Sequence, residues 1–533
     1  MTTFQDRLAA LSPAILTGLR RGIEKEGLRV REDGCLATTP HPAALGAALT
    51  HPNITTDFSE SQLELVTDAH TSVEDCLAQL TALHQFVYGR IGNEVIWNSS
   101  MPCYLPLEED IPIGRYGTSN VGRAKFVYRT GLANRYGKRM QTISGLHYNF
   151  SLPKTAWPLP GLPDANEGYF ALIRNFRRNG WLPMYLFGTS PAVCATFVQG
   201  RSHRLEDLSR GTRYLPYATS LRMGRLGYLS EAQDSLAVSY NCIDTYTASL
   251  FDALTQPYPP YEAIGIRSGN EYRQLSTTLL QIENEFYSTI RPKRVIRSGE
   301  RPLHALRQRG VEYVEVRLMD LDPFEAIGIA ASTARFLDIF LLYCLVSDSP
   351  TDDRQEIESI GRNKQAVAAR GREPGLELER DGGKVALRDW AVGIVEACGP
   401  IAAALDAAHG GTNYQQALAM TAKSLDRPES LPSAHVLATM RDKHENSYGR
   451  FALAESMRHR AALQSVSLPA ALTEEYERLA VESLEAQKAV EAADRIPFET
   501  YRQRYLSPDA LVPKPDEDPS GGDEGKTETF VGV

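Results

Sequence analysis

A chain of 533 residues with 42% apolar and 23% charged side chains can bury a large core without needing disulfide or metal staples. Its 57 basic residues against 66 acidic ones leave a net charge of −9, which excludes general nucleic-acid binding and confines any anion site to a local group of cations. The seven cysteines, at 35, 76, 103, 194, 242, 344 and 398, show no CxxC and no zinc-type spacing, so reduced buried thiols and a cytoplasmic setting are expected.

The first twenty residues lack the basic-then-apolar layout of a signal peptide. The most apolar long segment, 336–346, is interrupted by Asp338 and is half of the roughly 20 residues a bilayer span needs, so it reads as a core helix and no membrane contact is expected. In Arg21-Gly-Ile-Glu-Lys-Glu-Gly-Leu-Arg29, Glu24 and Glu26 stand two residues apart. On a strand they share one face at about 7 Å while Ile23 and Lys25 take the other, and a hard divalent cation would relieve the repulsion. A solvated hairpin face has the same pattern. Glu32-Asp33-Gly34 reads as a turn, Asp57, Phe58 and Glu60 fall in a loop, and 62–66 alternates as a half-buried strand presenting Glu64.

Thr71-Ser-Val-Glu74 resembles a capping box, and apolar residues at 73, 76, 77, 80, 83 and 87 predict a helix to about Arg90. The segment 115–136 mixes Gly, Arg and aromatics, either as a helix with a charged face or as an anion-gripping lid. In 141–152 the alternation predicts a strand with Gln141, Ile143, Gly145, His147 and Asn149 on one face and Leu146, Tyr148 and Phe150 on the other. A Pro-rich loop at 155–167, a helix from about Gly168 and an apolar run at 181–194 follow. Next come a loop at 214–228 that can present Arg222 and Tyr228, and a helix over 235–254.

Arg291, Lys293, Arg294 and Arg297 then crowd into seven residues, either a dock for a polyphosphate or a solvated edge. The alternation of 310–318 puts Glu315 and Arg317 on one strand face with Tyr313. A core helix is expected over 323–348, then a helix-rich region with an acidic break at 381–383 and an amphipathic helix over 473–494. Beyond residue 506 the chain is rich in Pro, Gly, Asp and Glu, the composition of a disordered tail. Three parts result: a catalytic sheet-and-helix core over 1–345, a helix-rich part over 346–505, and an acidic tail over 506–533.

Ser520-Gly-Gly-Asp-Glu-Gly-Lys-Thr527 is one residue short of a phosphate loop and follows no strand. GxGxxG, HExxH and GxSxG are absent from the sequence. What remains is a set of strands offering carboxylates (Glu24 and Glu26, Glu64, Glu315), another offering His147, and Arg129, Arg222, Arg317 and the 291–297 group as anion grips. Acids at one level of a cleft and arginines at another suit phosphoryl transfer from a magnesium nucleotide.

The chain resembles the bacterial (type 1) glutamate–cysteine ligases, or gamma-glutamylcysteine synthetases, the first enzymes of glutathione synthesis. The resemblance runs through Arg21-Gly-Ile-Glu-Lys-Glu-Gly-Leu-Arg, Ser100-Met-Pro-Cys-Tyr, Tyr116-Gly-Thr-Ser-Asn, Met140-Gln-Thr-Ile-Ser-Gly-Leu-His-Tyr-Asn-Phe-Ser, Tyr214-Leu-Pro-Tyr-Ala-Thr-Ser-Leu-Arg, Gln281-Ile-Glu-Asn-Glu and Ile290-Arg-Pro-Lys-Arg-Val. It is dense over about 15–345 and absent from the tail. It implies an α+β fold, with a curved, mostly antiparallel sheet cupping the active site and helices behind it, as in glutamine synthetase and creatine kinase. It implies ATP-dependent formation of a gamma-glutamyl phosphate that the cysteine amine then attacks, with magnesium or manganese as cofactor. On this resemblance Glu24, Glu26, Asp57, Glu64, His147 and Glu315 are metal ligands, and Arg129 and Arg317 neutralise the phosphoryl group. Tyr128, Leu132, Gln141, Tyr228 and Tyr287 form the cysteine pocket with Phe58 nearby, Arg222 grips a substrate carboxylate, and Arg291, Lys293 and Arg294 are placed on nucleotide phosphates. Glutamate, cysteine and ATP are then the partners, with no nucleic acid, membrane or obligate protein partner. A ligase for another amine and a catalytically dead amino-acid-binding module are the alternatives.

Overall fold

The computed structural model describes residues 2–227, 231–234, 236, 238–297 and 299–513. Seven strands make the main sheet: β1 (Arg20–Val30), β2 (Ile54–Thr56), β3 (Gln62–Val66), β4 (Val95–Ile96), β5 (Leu146–Ser151), β6 (Ile290–Lys293) and β7 (Tyr313–Met319). Their order is β6-β7-β5-β1-β3-β2, with β4 paired to the far end of β1, and every pairing is antiparallel. The long β1 is the hub, because it pairs with β3, β4 and β5.

Residues directly opposite in paired strands share a face, so register decides which side chains meet. Glu24 lies opposite Val66 on one side and His147 on the other, and Glu26 lies opposite Glu64. Glu315 lies between Asn149 and Arg291. The reverse face carries Ile23, Leu65, Tyr148, Phe150, Val314 and Val316, all buried in the principal core.

Against that face pack α1 (Val73–Tyr88), α3 (Ala165–Asn179) and α4 (Ala331–Val346), while α2 (Asn120–Tyr136) stands along the acidic side. Two cations on the rear positions of β1 are also buried. Arg21 meets Asp338 of α4 at 3.1 Å, and Tyr148 and Tyr414 donate to the same carboxylate at 2.8 and 3.3 Å. This ion pair is why a buried aspartate is tolerated in the apolar part of the helix. Lys25 donates to His84 Nε2 at 3.0 Å, since His84 Nδ1 already gives its hydrogen to Leu80 O. Burial pushes the Lys25 ammonium down to about 7.

Several boundaries differ from the sequence expectation. The strand expected over 141–152 begins at Leu146, because 140–142 close a single 3-10 turn. The core helix starts at Ala331 rather than 323, since turns through Gly328 hold the preceding residues. The helix expected over 235–254 is Ile243–Thr255. Ser72, not Thr71, caps α1, accepting from Asp75 N at 3.2 Å. The acidic break is a hairpin, Glu377–Arg380 with Gly383–Ala386, whose turn residues Asp381 and Gly382 have φ of 50° and 74°. Residues 514–533, most of the expected tail, lie outside the described residues.

The thiol expectation is corrected: Cys103 and Cys194 form a disulfide, while Cys35, Cys76, Cys242, Cys344 and Cys398 are free. The two partners are 91 residues apart and meet only when the loop after β4 packs on a small sheet of Ala192–Cys194, Glu206–Ser209 and Thr212–Tyr214. The run Leu387–His409 is long and apolar enough to cross a membrane by composition, with mean hydropathy 1.5. It is two helices meeting at Cys398, and Trp390, Ile394, Ile401 and Leu405 are buried in the core.

The chain then returns to the acidic side. A helix at Ala470–Ala493 leads into α5 (Phe498–Tyr505). Glu491 and Asp494 accept from the backbone N–H groups of Thr118 and Asn120 at 2.8 and 2.6 Å, and the Arg123 guanidinium lies 4.4 Å over the Phe498 ring.

Replacing Asp338 by Ala would leave the Arg21 charge buried and unpaired. The expected loss is about 3–5 kcal/mol of stability, read as a lowered midpoint in urea, with a smaller loss for Asp338→Asn.

Candidate active site

The acidic face of the sheet forms the floor of a cleft. Asn149 Nδ2 donates to Glu24 Oε1 at 2.9 Å, and Glu24 Oε2 lies 3.1 Å from His147 Nδ1. Gly145 N–H donates to Glu26 Oε2 at 2.7 Å, and Glu26 Oε1 is 3.5 Å from His147 Nε2. One donor atom from each of Glu24, Glu64 and His147 falls within 4.8 Å of the others. Asp57, from the loop before β3, lines the same cleft.

This concentration of charge has consequences. Burial raises the Glu64 carboxyl well above its usual range, and Glu24, Asp57 and Glu26 add repulsion. Glu26 is pushed up to about 8 by burial and then by Asp57, with Arg222 opposing. Glu315 goes the other way: burial would raise it, but Arg317, Lys293 and His147 together hold it below the carboxylate range. Burial and then Arg317 lower the His147 imidazole, which keeps a lone pair free on the neutral ring. Glu315 Oε1 accepts from Arg317 Nη1 at 2.8 Å, whereas its buried Oε2 makes no hydrogen bond.

The walls supply cations. Arg129 of α2 donates to the carbonyls of Asp57 and Thr56 and lies 4.5 Å over the Tyr116 ring. One turn earlier, burial and then Arg129 push Lys125 down to about 8. Arg291 Nη2 donates to Asn284 O at 3.0 Å, and Lys293 Nζ is 3.7 Å from Glu315. Phe58, Tyr128, Leu132, Gln141 and Tyr287 complete the lining, with Gln141 Nε2 donating to Tyr287 Oη at 3.1 Å.

Two expected site residues stand elsewhere. Arg294 is outside the cleft: positions 291 and 293 share a strand face, so 294 turns away, pairs with Glu312 at 3.3 Å and donates to Arg309 O. Arg222 lines an adjoining cavity that shares Arg317 and Tyr287 with the cleft, and it donates to Arg317 O at 3.0 Å. Tyr228 lies outside the described residues. The sequence reading did not single out Lys125, Tyr501 or Tyr505, all of which line the cleft. Lys125 was within reach, being four residues before Arg129 on one helix face; nothing in the local sequence marks the two tyrosines.

A concave antiparallel sheet with carboxylates and an imidazole on its floor and guanidinium groups above them defines a carboxylate–amine ligase. The glutamate–cysteine ligase family model matches residues 7–367. The chain is 50% identical over 495 residues to the glutamate–cysteine ligase of Pseudomonas entomophila, covering 91% of this chain and 93% of that one. It is 46% identical over 524 residues to the enzyme of Alcanivorax borkumensis, covering 95% and 100%. The crystal structure of glutamate–cysteine ligase from Francisella tularensis in complex with AMP superposes with a TM-score of 0.87 at 38% identity, over 92% of this chain and 97% of that one. The chain belongs to the glutamate–cysteine ligase family.

Gly145 faces the Arg222 guanidinium so closely that an added Cβ would overlap Nη2. Arg222 is buried and tethered to Arg317 O, so it cannot swing aside. Gly145→Ala is therefore expected to cost about 1–3 kcal/mol of stability and to lower kcat/KM, checked by thermal unfolding and steady-state kinetics.

Proposed function

We infer that this cleft joins L-glutamate to L-cysteine using ATP, the first step of glutathione biosynthesis, and that the residues gathered on it do so in the following roles. The observation that carries the reading is the register of β3, β1, β5 and β7, which brings Glu64, Glu24, Glu26, His147 and Glu315 to one patch facing Arg129 and Arg317.

A carboxylate does not condense with an amine in water, because its oxygen is a poor leaving group. The γ-carboxylate oxygen of glutamate attacks the γ-phosphorus of ATP, the bond to ADP breaks, and an acyl phosphate forms. The cysteine amine then attacks the acyl carbon, its proton is lost, and phosphate leaves. Arg129 and Arg317 stabilise charge on the transferred phosphoryl group, with Arg291 and Lys293 on the nucleotide phosphates. Arg222 lines the adjoining cavity, so it would meet a substrate carboxylate only where that cavity joins the cleft at Arg317 and Tyr287. Phe58, Tyr128, Leu132, Gln141 and Tyr287 receive cysteine, where the Gln141–Tyr287 hydrogen bond fixes the polar edge of the pocket.

The floor suits magnesium or manganese. Glu24, Glu26, Asp57, Glu64, His147 and Glu315 would hold the ions, which when bound offset phosphate charge during transfer. The donor atoms of Glu24, Glu64 and His147 within 4.8 Å of one another, the raised Glu64 carboxyl and the neutral His147 support that fit. The reaction's dependence on ATP fits a cytoplasmic setting.

The test is ADP release with glutamate, with and without cysteine and Mg²⁺; rapid ADP release only when all are present is expected. Glu315→Gln is expected to reduce kcat by about 100-fold or more with the fold intact, because Arg317 loses its charged partner. Independently of turnover, Mg²⁺ at 100 times its Kd is expected to stabilise the wild-type chain by about 2.7 kcal/mol, and Glu64→Gln should abolish most of that gain in a thermal-shift titration.

A further inference from the structure

Arg222 is carried by a 3-10 turn of three residues, Leu221–Met223, and a turn that short has few hydrogen bonds of its own to fix it. What fixes it lies behind it. Asp320 directly follows β7, the strand that bears Glu315 and Arg317, and its carboxylate is buried where β7 ends against the segments around Ser190 and Ser220. Asp320 Oδ2 accepts from Thr189 N at 2.9 Å and from the Ser190 hydroxyl at 2.7 Å, and Oδ1 accepts from the Ser220 hydroxyl at 2.9 Å. Each serine then faces the turn: Ser190 Oγ accepts from Arg222 N–H at 3.4 Å and Ser220 Oγ from Met223 N–H at 3.3 Å. Leu221 N–H donates to Ser190 O at 2.8 Å, so the turn meets Ser190 twice.

A serine hydroxyl has one hydrogen and two lone pairs. Both hydrogens go to Asp320, which turns the lone pairs toward the backbone N–H groups of 222 and 223. The carboxylate sets the hydroxyls, and the hydroxyls set the turn. It also compensates charge, since Arg222 is 1% exposed and a buried guanidinium needs an anion nearby. Asp320 Oδ1 stands 3.9 Å from Arg222 Nη1, close enough to offset that charge and too far to occupy one of its N–H groups. Arg222 Nη2 meanwhile donates to Arg317 O at 3.0 Å, where the adjoining cavity and the cleft join.

We propose that Asp320 is a positioning residue for the reaction: through Ser190 and Ser220 it fixes the turn that aims Arg222 at a substrate carboxylate. This rests on the ligase reading above, in which Asp320 has no role. Asp320 lines neither cavity, so it reaches substrate through the turn.

Asp320→Asn keeps the shape and replaces one acceptor oxygen by a donor. An NH2 in the Oδ1 place forces the Ser220 hydroxyl to turn its hydrogen toward Met223 N–H; in the Oδ2 place it opposes Thr189 N–H and turns the Ser190 hydroxyl instead. Either way the turn loses a bond. In the full chain, Arg222→Lys should raise KM for the amino-acid substrate whose carboxylate Arg222 meets. Asp320→Asn should raise KM for that same substrate about tenfold, with KM for ATP within about twofold and the Mg²⁺ thermal-shift gain unchanged. Ser220→Ala, which removes one arm of the support, should raise it less. The double variant Asp320→Asn/Arg222→Lys should be little worse than Arg222→Lys alone, because a support has no effect once the supported group is gone. Asp406→Asn is the matched control. Asp406 is also buried and accepts from the backbone of Tyr414 and Gln415 at 2.9 and 3.0 Å, but it lines neither cavity, and its variant should melt lower with wild-type KM for every substrate. Wild-type KM for both amino acids in Asp320→Asn, an equal rise in KM for ATP, or effects that multiply in the double variant would each overturn the proposal. If Asp320→Asn does not fold, Ser220→Ala and its double with Arg222→Lys decide by the same readouts. A wild-type chain that releases no ADP with glutamate and cysteine would instead overturn the ligase reading.

Discussion

Carboxylates packed on one dry face of a sheet repel one another, and most of the molecule can be understood as the means of keeping them there. Their positions are backbone properties, because once β1 is paired with β3 and β5, Glu26 must face Glu64 and Glu24 must face His147. A slip of one residue would send every one of them to the helix-packed side. That slip is blocked by the reverse face, where Ile23, Tyr148 and Val316 are committed to the core. Hydrophobic burial behind the sheet therefore holds in place an electrostatic arrangement that would not assemble by itself. The same concentration of negative charge keeps Arg129, Lys293 and Arg317 beside the floor.

β1 carries this logic in its sequence. Its front positions give Glu24 and Glu26, while its rear positions give Arg21 and Lys25, both inside the protein. Arg21 is neutralised by Asp338, which pins β1 to α4. Among the described residues Lys25 meets a histidine and no carboxylate, so burial lowers the affinity of the ammonium for its proton. One strand thus opposes acids in front with basic groups behind.

Much of this was legible beforehand, for physical reasons. Period-two alternation in 21–29, 62–66 and 313–318 states which face each acid takes, and the structure keeps those assignments. His147 and Asn149 were correctly paired on one face, and both contact Glu24. Alternation failed at Gln141, where a helical turn replaces the strand yet still delivers the side chain to the cleft. Counting cations overstated the 291–297 cluster, because strand geometry sends Arg291 and Lys293 one way and Arg294 the other. The Cys103–Cys194 bond could not be read at all, since it depends on two distant loops meeting.

The least legible part is the one contributed by the end of the chain. Tyr501 and Tyr505 lie on a short polar helix with no motif, and only tertiary structure brings them to the cleft mouth. They arrive because Glu491 and Asp494 satisfy backbone donors at the start of α2, which α5 and Arg123 then cover. Helix starts need such partners wherever water is excluded, so the contact that finishes α2 also determines where the tyrosines stand. The wall bearing Arg129 and the wall bearing the tyrosines are consequently one mechanical unit, tied to the sheet by the Arg129 hydrogen bonds to Thr56 and Asp57. A cleft built this way draws its floor from the first two-thirds of the sequence and its rim from the last turns. Its integrity is a property of the whole fold rather than of a separable catalytic core.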